Sequence, residues 1–166
     1  MADLEINIDG PVATLIMNRP NVRNALSMDM RQLLDENIHK LEFNDDVRCV
    51  VLEGAGDHFM AGGDVRQMHE YLESHTRDEM QSYFLHRIHN LHPIMFSMRR
   101  MQKPILAKVK GAAAGAGVSL AAACDLIIAE EILGNLNSQG YLTIEPVLIS
   151  DRLHVDEEDV LSVMAK

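Results

Sequence analysis

The sequence has 166 residues, 47% of them hydrophobic, which gives room for one compact core and excludes a large multidomain enzyme. Fifteen Lys and Arg stand against 25 Asp and Glu, a formal net charge of -10, so the chain offers no basic field to a phosphate backbone and nucleic acid is not expected as a partner. No run of apolar residues is long and uncharged enough for a membrane span, and the start carries Asp3, Glu5 and Asp9 where a secretory signal would be basic; a cytoplasmic protein is expected.

In chain order, residues 4–8 alternate apolar and polar, Gly10-Pro11 signals a turn, and residues 12–17 form a second apolar run, together a hairpin. Residues 18–26 read as a loop, after which Ser27 is a good N-cap for a helix over residues 28–41 with Leu33, Leu34, Ile38 and Leu41 on its apolar face. Residues 47–52 form a short β-branched run feeding Gly54-Ala55-Gly56, as a buried strand would. A helix is expected after Asp64. A second helical stretch covers residues 76–100, with Met80, Phe84, Ile88, Leu91 and Met95 at helical spacing and Pro93 to kink or divide it. A strand at 105–109, a small-residue helix at about 118–124 and a strand at 126–129 complete the pattern. The class is mixed α/β, with strands that hairpins alone cannot join. Cys49 and Cys124 lie in separate apolar runs, as buried reduced thiols do.

The character of the chain changes near Glu130-Glu131. Residues 131–166 carry seven acids against two bases, and residues 155–164 read as a helix with carboxylates in its first turn, facing the positive end of the dipole. We therefore expect a domain over residues 1–130 and a distinct acidic, mostly helical tail over 131–166.

Two glycine-rich turns, Phe59-Met60-Ala61-Gly62-Gly63-Asp64 and Gly111 through Gly117, each lead into a helix and could present backbone N–H groups to a negative charge. One N–H from each turn, aimed at a single carbonyl oxygen, would form an oxyanion hole, and small residues let a substrate approach the main chain. Tight turns serving only packing are the alternative at this point. Neither turn has the ending of a P-loop or the full spacing of a dinucleotide fingerprint.

Taken together, Asn18-Arg19-Pro20 with Asn24-Ala25-Leu26, then residues 59–64, then Lys103-Pro104 leading through Gly111 to Cys124-Asp125, resemble the crotonase family of enoyl-CoA hydratases and isomerases over about residues 3–130. The resemblance implies a spiral of ββα units and an acyl-CoA thioester as substrate, with no separate cofactor. It also implies a place in fatty acid metabolism, in a homotrimer or hexamer. By position, it puts the oxyanion donors at the N–H groups of Gly63 and Ala116 and lines the substrate path with Val22, Arg23, Ala61, Gly62 and Asp64. The hydratases carry a glutamate where this chain has Ser119, and a second one in a segment the chain does not contain. A hydroxyl alone cannot manage the protons of water addition, so impaired activity is expected. With the family's C-terminal region missing, the resemblance also predicts an exposed apolar sheet edge.

Residues 133–142 and 155–164 resemble part of the core-polymerase-binding region of the enhancer-dependent alternative sigma factor of bacteria, which suggests a chimera joined near residue 130. Two readings stand beside the enzyme: an interaction fragment of a transcription factor, and an acyl-CoA-binding module without catalysis. His86, His89 and His92 recur every third residue but lack a completing Cys or carboxylate, so a solvated helix face is expected and no metal. Asp64 is expected to cap the following helix, Asp125 to bond locally, and Arg99, Arg100 and Lys103 to form either a solvated helix end or a contact for CoA phosphates.

Overall fold

A computed structural model of the chain describes residues 2–129. Among them, β1 (Leu4–Asp9), β2 (Val12–Met17), β3 (Cys49–Gly54), β4 (Ile105–Val109) and β5 (Leu126–Ala129) form a five-stranded sheet in that order. β1 and β2 pair antiparallel, Leu4 opposite Met17, across a turn in which Gly10 has φ +52°. β2 with β3 and β3 with β4 pair parallel, so each of those connections must cross over, and helices provide the crossovers. Helix α1 (Met28–Glu42) links β2 to β3; α2 (Val65–Ser74), α3 (Arg77–His89) and α4 (His92–Arg100) link β3 to β4; α5 (Ala116–Ala123) links β4 to β5.

The core lies on one face of the sheet. Period-two burial puts Ala13, Leu15 and Met17 of β2, Val50 and Leu52 of β3, and Ile105 and Ala107 of β4 against Met30, Leu34, Ile38 and Leu41 of α1. Ile94 and Met98 of α4 and Leu120 of α5 close it. β1 is an edge strand with only Leu4 buried.

Local chemistry sets the element ends. The Ser27 hydroxyl accepts from the Met30 amide and donates to Asp3, starting α1. Lys103 Nζ donates to the Leu41 and Asn44 carbonyls, both at 2.6 Å, and so closes the C-terminal end of that helix, while Arg100 pairs with Glu42 at 3.1 Å. Lys103 and Arg100 are thus engaged in packing α1. Asp125 accepts from the Ile105 amide and donates its own N–H to the Ile105 carbonyl, each at 2.8 Å, a local pairing of the kind expected.

Three boundaries differ from expectation. The strand expected at 47–52 is β3, two residues later, because the Arg48 and Cys49 amides both bond to Pro11 O and fix where pairing starts. The stretch at 76–100 is two helices broken at Asn90-Leu91. Pro93 sits in the first turn of α4, where its missing N–H costs nothing. The helix expected from 118 starts at Ala116. Cys49 is only half-buried, whereas Cys124 is buried and its thiol is pushed up to about 12, by burial first and then by Asp125. The expected tail over 131–166, with its sigma-factor resemblance and the proposed junction, lies outside the described residues.

Candidate functional site

The site is assembled from three loops. β3 ends at Gly54, where a Cβ would lie 2.2 Å from the His58 carbonyl oxygen, so the chain doubles back tightly over residues 55–58. Buried Asn24 holds that turn: its amide group donates to the carbonyls of Ala55 at 2.9 Å and His58 at 2.6 Å, and its oxygen accepts from the Arg19 N–H. Arg23 and Asn24 both adopt left-handed φ, 51° and 54°. That bend turns residues 23–26 alongside residues 61–64. Ala61 N–H donates to Arg23 O, Leu26 N–H to Gly62 O, and Asp64 N–H to Leu26 O, at 2.9, 2.7 and 3.2 Å.

The third loop docks on the other side. Met60 N–H donates to Ala112 O at 3.0 Å and receives the Ala114 N–H on its own carbonyl at 2.9 Å. Gly62, at φ +106°, has the Ala114 carbonyl oxygen 3.2 Å from where a Cβ would stand, and Gly117 has Met60 O at 2.4 Å. Side chains there would hold the turns apart. Thus two glycine turns separated by some fifty residues lie against each other.

Each residue read from the sequence can now be placed. Gly63 and Ala116 border one cavity of about 300 Å³. Among the described residues neither the Gly63 nor the Ala116 amide donates a hydrogen bond, and Ala116 is the first residue of α5, where backbone donors lack helical partners. Val22, Arg23 and Ala61 come together through the Ala61 to Arg23 bond, with Val22 half-buried and Arg23 exposed. Gly62 is buried between the turns. Asp64 caps α2, accepting from the Arg66 and Gln67 amides at 3.1 and 3.2 Å, and pairs with Arg19 at 2.8 Å. Burial opposes ionisation of Asp64; the Arg19 hydrogen bond and charge with the two backbone donors outweigh it and hold the carboxyl below its usual range. Arg19 also donates to Ala25 O and meets Asp3 at 3.3 Å, tying the first loop to β1.

Ser119 lines the same cavity, exposed, with its hydroxyl donating to Gly115 O at 3.4 Å. Among the described residues no carboxylate lines the cavity. His89 and His92 face each other at 6.2 Å between ring centroids, and among the described residues no three His, Cys or acidic side chains gather as a metal site would need.

Sequence reading misses the rest of the lining. Phe84, Ile88, Leu91 and Met95, read from the sequence only as a stripe at helical spacing, line the cavity, and Leu91 and Met95 also pack against the core. Arg31 and Arg87 line it too. Arg87 donates to the Tyr83 hydroxyl at 2.7 Å and to Leu26 O at 3.2 Å, and Arg31 donates to Arg87 O at 3.5 Å. The signal was present but faint: a cation four residues after Tyr83 and next to Ile88 interrupts an apolar stripe.

Comparison with known proteins gives a consistent picture. The family pattern described as enoyl-CoA hydratase/isomerase matches residues 12–133. The chain is 32% identical over 124 residues to the peroxisomal Delta(3,5)-Delta(2,4)-dienoyl-CoA isomerase of Arabidopsis thaliana, covering 72% of this chain and 45% of that protein. It is 34% identical over 117 residues to 4-chlorobenzoyl coenzyme A dehalogenase-2 of Arthrobacter sp, covering 70% and 41%. The crystal structure of an enoyl-CoA hydratase from Polaromonas sp. JS666 superposes with a TM-score of 0.66 at 35% identity over 76% of this chain and 47% of that one. The chain therefore spans less than half the length of these relatives. No helix among the described residues is long and apolar enough to cross a membrane.

Proposed function

We propose that this chain, which belongs to the enoyl-CoA hydratase/isomerase family, binds an acyl-CoA thioester and holds its carbonyl oxygen between the Gly63 and Ala116 amides. One observation carries the reading: Gly63 and Ala116, on distant turns, border one cavity, and the amides of both are without acceptors among the described residues. Such donors cost little while they face solvent and act where charge develops. When a solvent base takes the α-proton, the C–H electron pair moves through the carbon–carbon bond to the thioester oxygen, and the Gly63 and Ala116 N–H groups stabilise the charge that settles there. The relatives named above act, by their names, as an isomerase, a dehalogenase and a hydratase on CoA thioesters; what those reactions share is a carbonyl that gathers negative charge.

Val22, Arg23 and Ala61 form the approach for the CoA moiety, and Arg19 with Asp64 hold the first turn in shape. Activity is impaired where a carboxylate is required, because Ser119 offers only a hydroxyl and no carboxylate lines the cavity among the described residues. Acyl-CoA is then substrate and no further cofactor is needed. Assembly as a homotrimer or hexamer and a cytoplasmic setting, fitting two free thiols, complete the reading. That no carboxylate lines the cavity among the described residues also favours a second reading, an acyl-CoA-binding module without turnover.

Calorimetric titration of the full chain with a short saturated acyl-CoA should give a saturable heat, and its absence would refute thioester binding. Deuterium uptake at the α-carbon, faster with protein than in buffer alone, supports enolate stabilisation. Binding without faster uptake selects the module.

A further inference from the structure

The lining of the cavity carries an electrostatic feature that the thioester does not use. Arg31 on α1 and Arg87 on α3 both line it and both are only partly exposed. Their neighbours in the lining are largely apolar, among them Leu26, Phe84, Ile88 and Leu91. Among the described residues neither guanidinium has a carboxylate within ion-pair distance, whereas Arg19 and Arg100 each do. Arg87 is held in place by its bonds to Tyr83 and Leu26 O, and Arg31 leans on the Arg87 carbonyl. Two like charges lining one half-dry pocket repel each other, and burial and then Arg87 act against the charge on Arg31 more strongly than Tyr83 and Asp35 favour it. An anion between them would relieve that repulsion and complete the guanidinium forks with paired N–H to oxygen bonds.

The position of the pair decides which anion. Leu26 O accepts both the Arg87 Nη2 and the Asp64 amide, each at 3.2 Å. The Arg87 head therefore lies within two hydrogen-bond lengths of the residue that follows Gly63. A group anchored by its carbonyl at the Gly63 and Ala116 amides has to travel only a few carbon atoms to reach the guanidiniums.

Resting on the thioester reading above, we infer that this cavity selects CoA monothioesters of short dicarboxylic acids, with the distal carboxylate held by Arg31 and Arg87. The rest of the lining is apolar enough to admit the intervening methylenes, and a neutral acyl chain of the same length would bring no anion to the two guanidiniums from inside the cavity.

Calorimetric titration of the full chain with succinyl-, glutaryl- and adipoyl-CoA, each against butanoyl-, pentanoyl- and hexanoyl-CoA of equal carbon number, tests the inference. At least one dicarboxylic member should bind about tenfold or more tightly than its neutral partner. In Arg31→Gln, which loses only one long hydrogen bond, that ratio should fall toward one while the thermal melt stays cooperative; Arg31→Lys should keep part of it, and Arg87→Lys serves as the independent second variant. Equal affinities across every pair would overturn the carboxylate assignment and leave thioester binding standing. A loss of affinity in Arg31→Gln that is equal for charged and neutral members would also overturn it, since the guanidiniums would then hold the CoA phosphates. No heat with any of the six would remove the thioester reading and this inference with it.

Discussion

Asp64 does two jobs with one carboxylate: it caps α2 through two backbone amides and anchors Arg19, whose side chain in turn holds the loop carrying Arg23 and Asn24. The capping role was legible, since an acid directly before a helical pattern is a common N-cap. The Arg19 partnership was not, because the two residues meet only when the chain folds back. Its titration makes a prediction with a fixed sign. The folded carboxyl titrates below its unfolded value, so its stabilisation is complete above the unfolded value of about 4 and is lost as pH falls through that value toward the folded one. Asp64→Asn, which leaves Arg19 without its nearest countercharge at this turn, should lower the unfolding free energy by about 1–3 kcal/mol at neutral pH. Denaturant titrations of both proteins should converge as pH drops below about 4; a gap that stays constant down to low pH would contradict the assignment.

At the scale of elements, the sheet and its crossovers were readable from period and punctuation alone. The hairpin at β1 and β2, the Ser27 start of α1 and the β4 strand stand where alternation, cap chemistry and β-branched runs put them. What pattern could not supply was direction. The stripe from Met80 to Met95 has helical spacing, yet spacing says only that one face is apolar, not that it meets the core. In this molecule Phe84, Ile88 and Leu91 face a cavity and Ile94 and Met98 of the next helix fill the interior. The entry of α5 depends on backbone touching backbone at Gly117, where a Cβ would meet Met60 O at 2.4 Å. Neither atom can swing aside as a flexible side chain would, so Gly117→Ala should displace the start of α5. We expect a loss of about 2 kcal/mol or more in unfolding free energy together with weaker acyl-CoA binding. A variant with unchanged melting and unchanged binding would show that the two turns need not touch.

For the molecule as a whole, the candidate site exists only because three segments far apart in sequence, at 23–26, 60–64 and 112–117, bond edge to edge. Glycine content hinted at each turn, and only the resemblance of all three motifs in order joined them into one site. The guanidinium pair in the lining had no such pattern behind it, being contributed by single residues on α1 and α3. That division has a physical origin: backbone donors need small residues in recognisable runs, whereas a side chain reaching into a pocket needs only one position on a helix. The proposed convergence of the two amides can be probed with little collateral damage, because Ala116 is the first residue of its helix, a position that proline favours while removing the N–H. The decisive measurement is the rate of deuterium uptake at the α-carbon of a bound acyl-CoA, compared between the native chain and Ala116→Pro at matched saturation. With the helix intact by circular dichroism, the protein-dependent part of that rate should fall about a hundredfold or more; a rate unchanged by the loss of that single N–H would contradict the account.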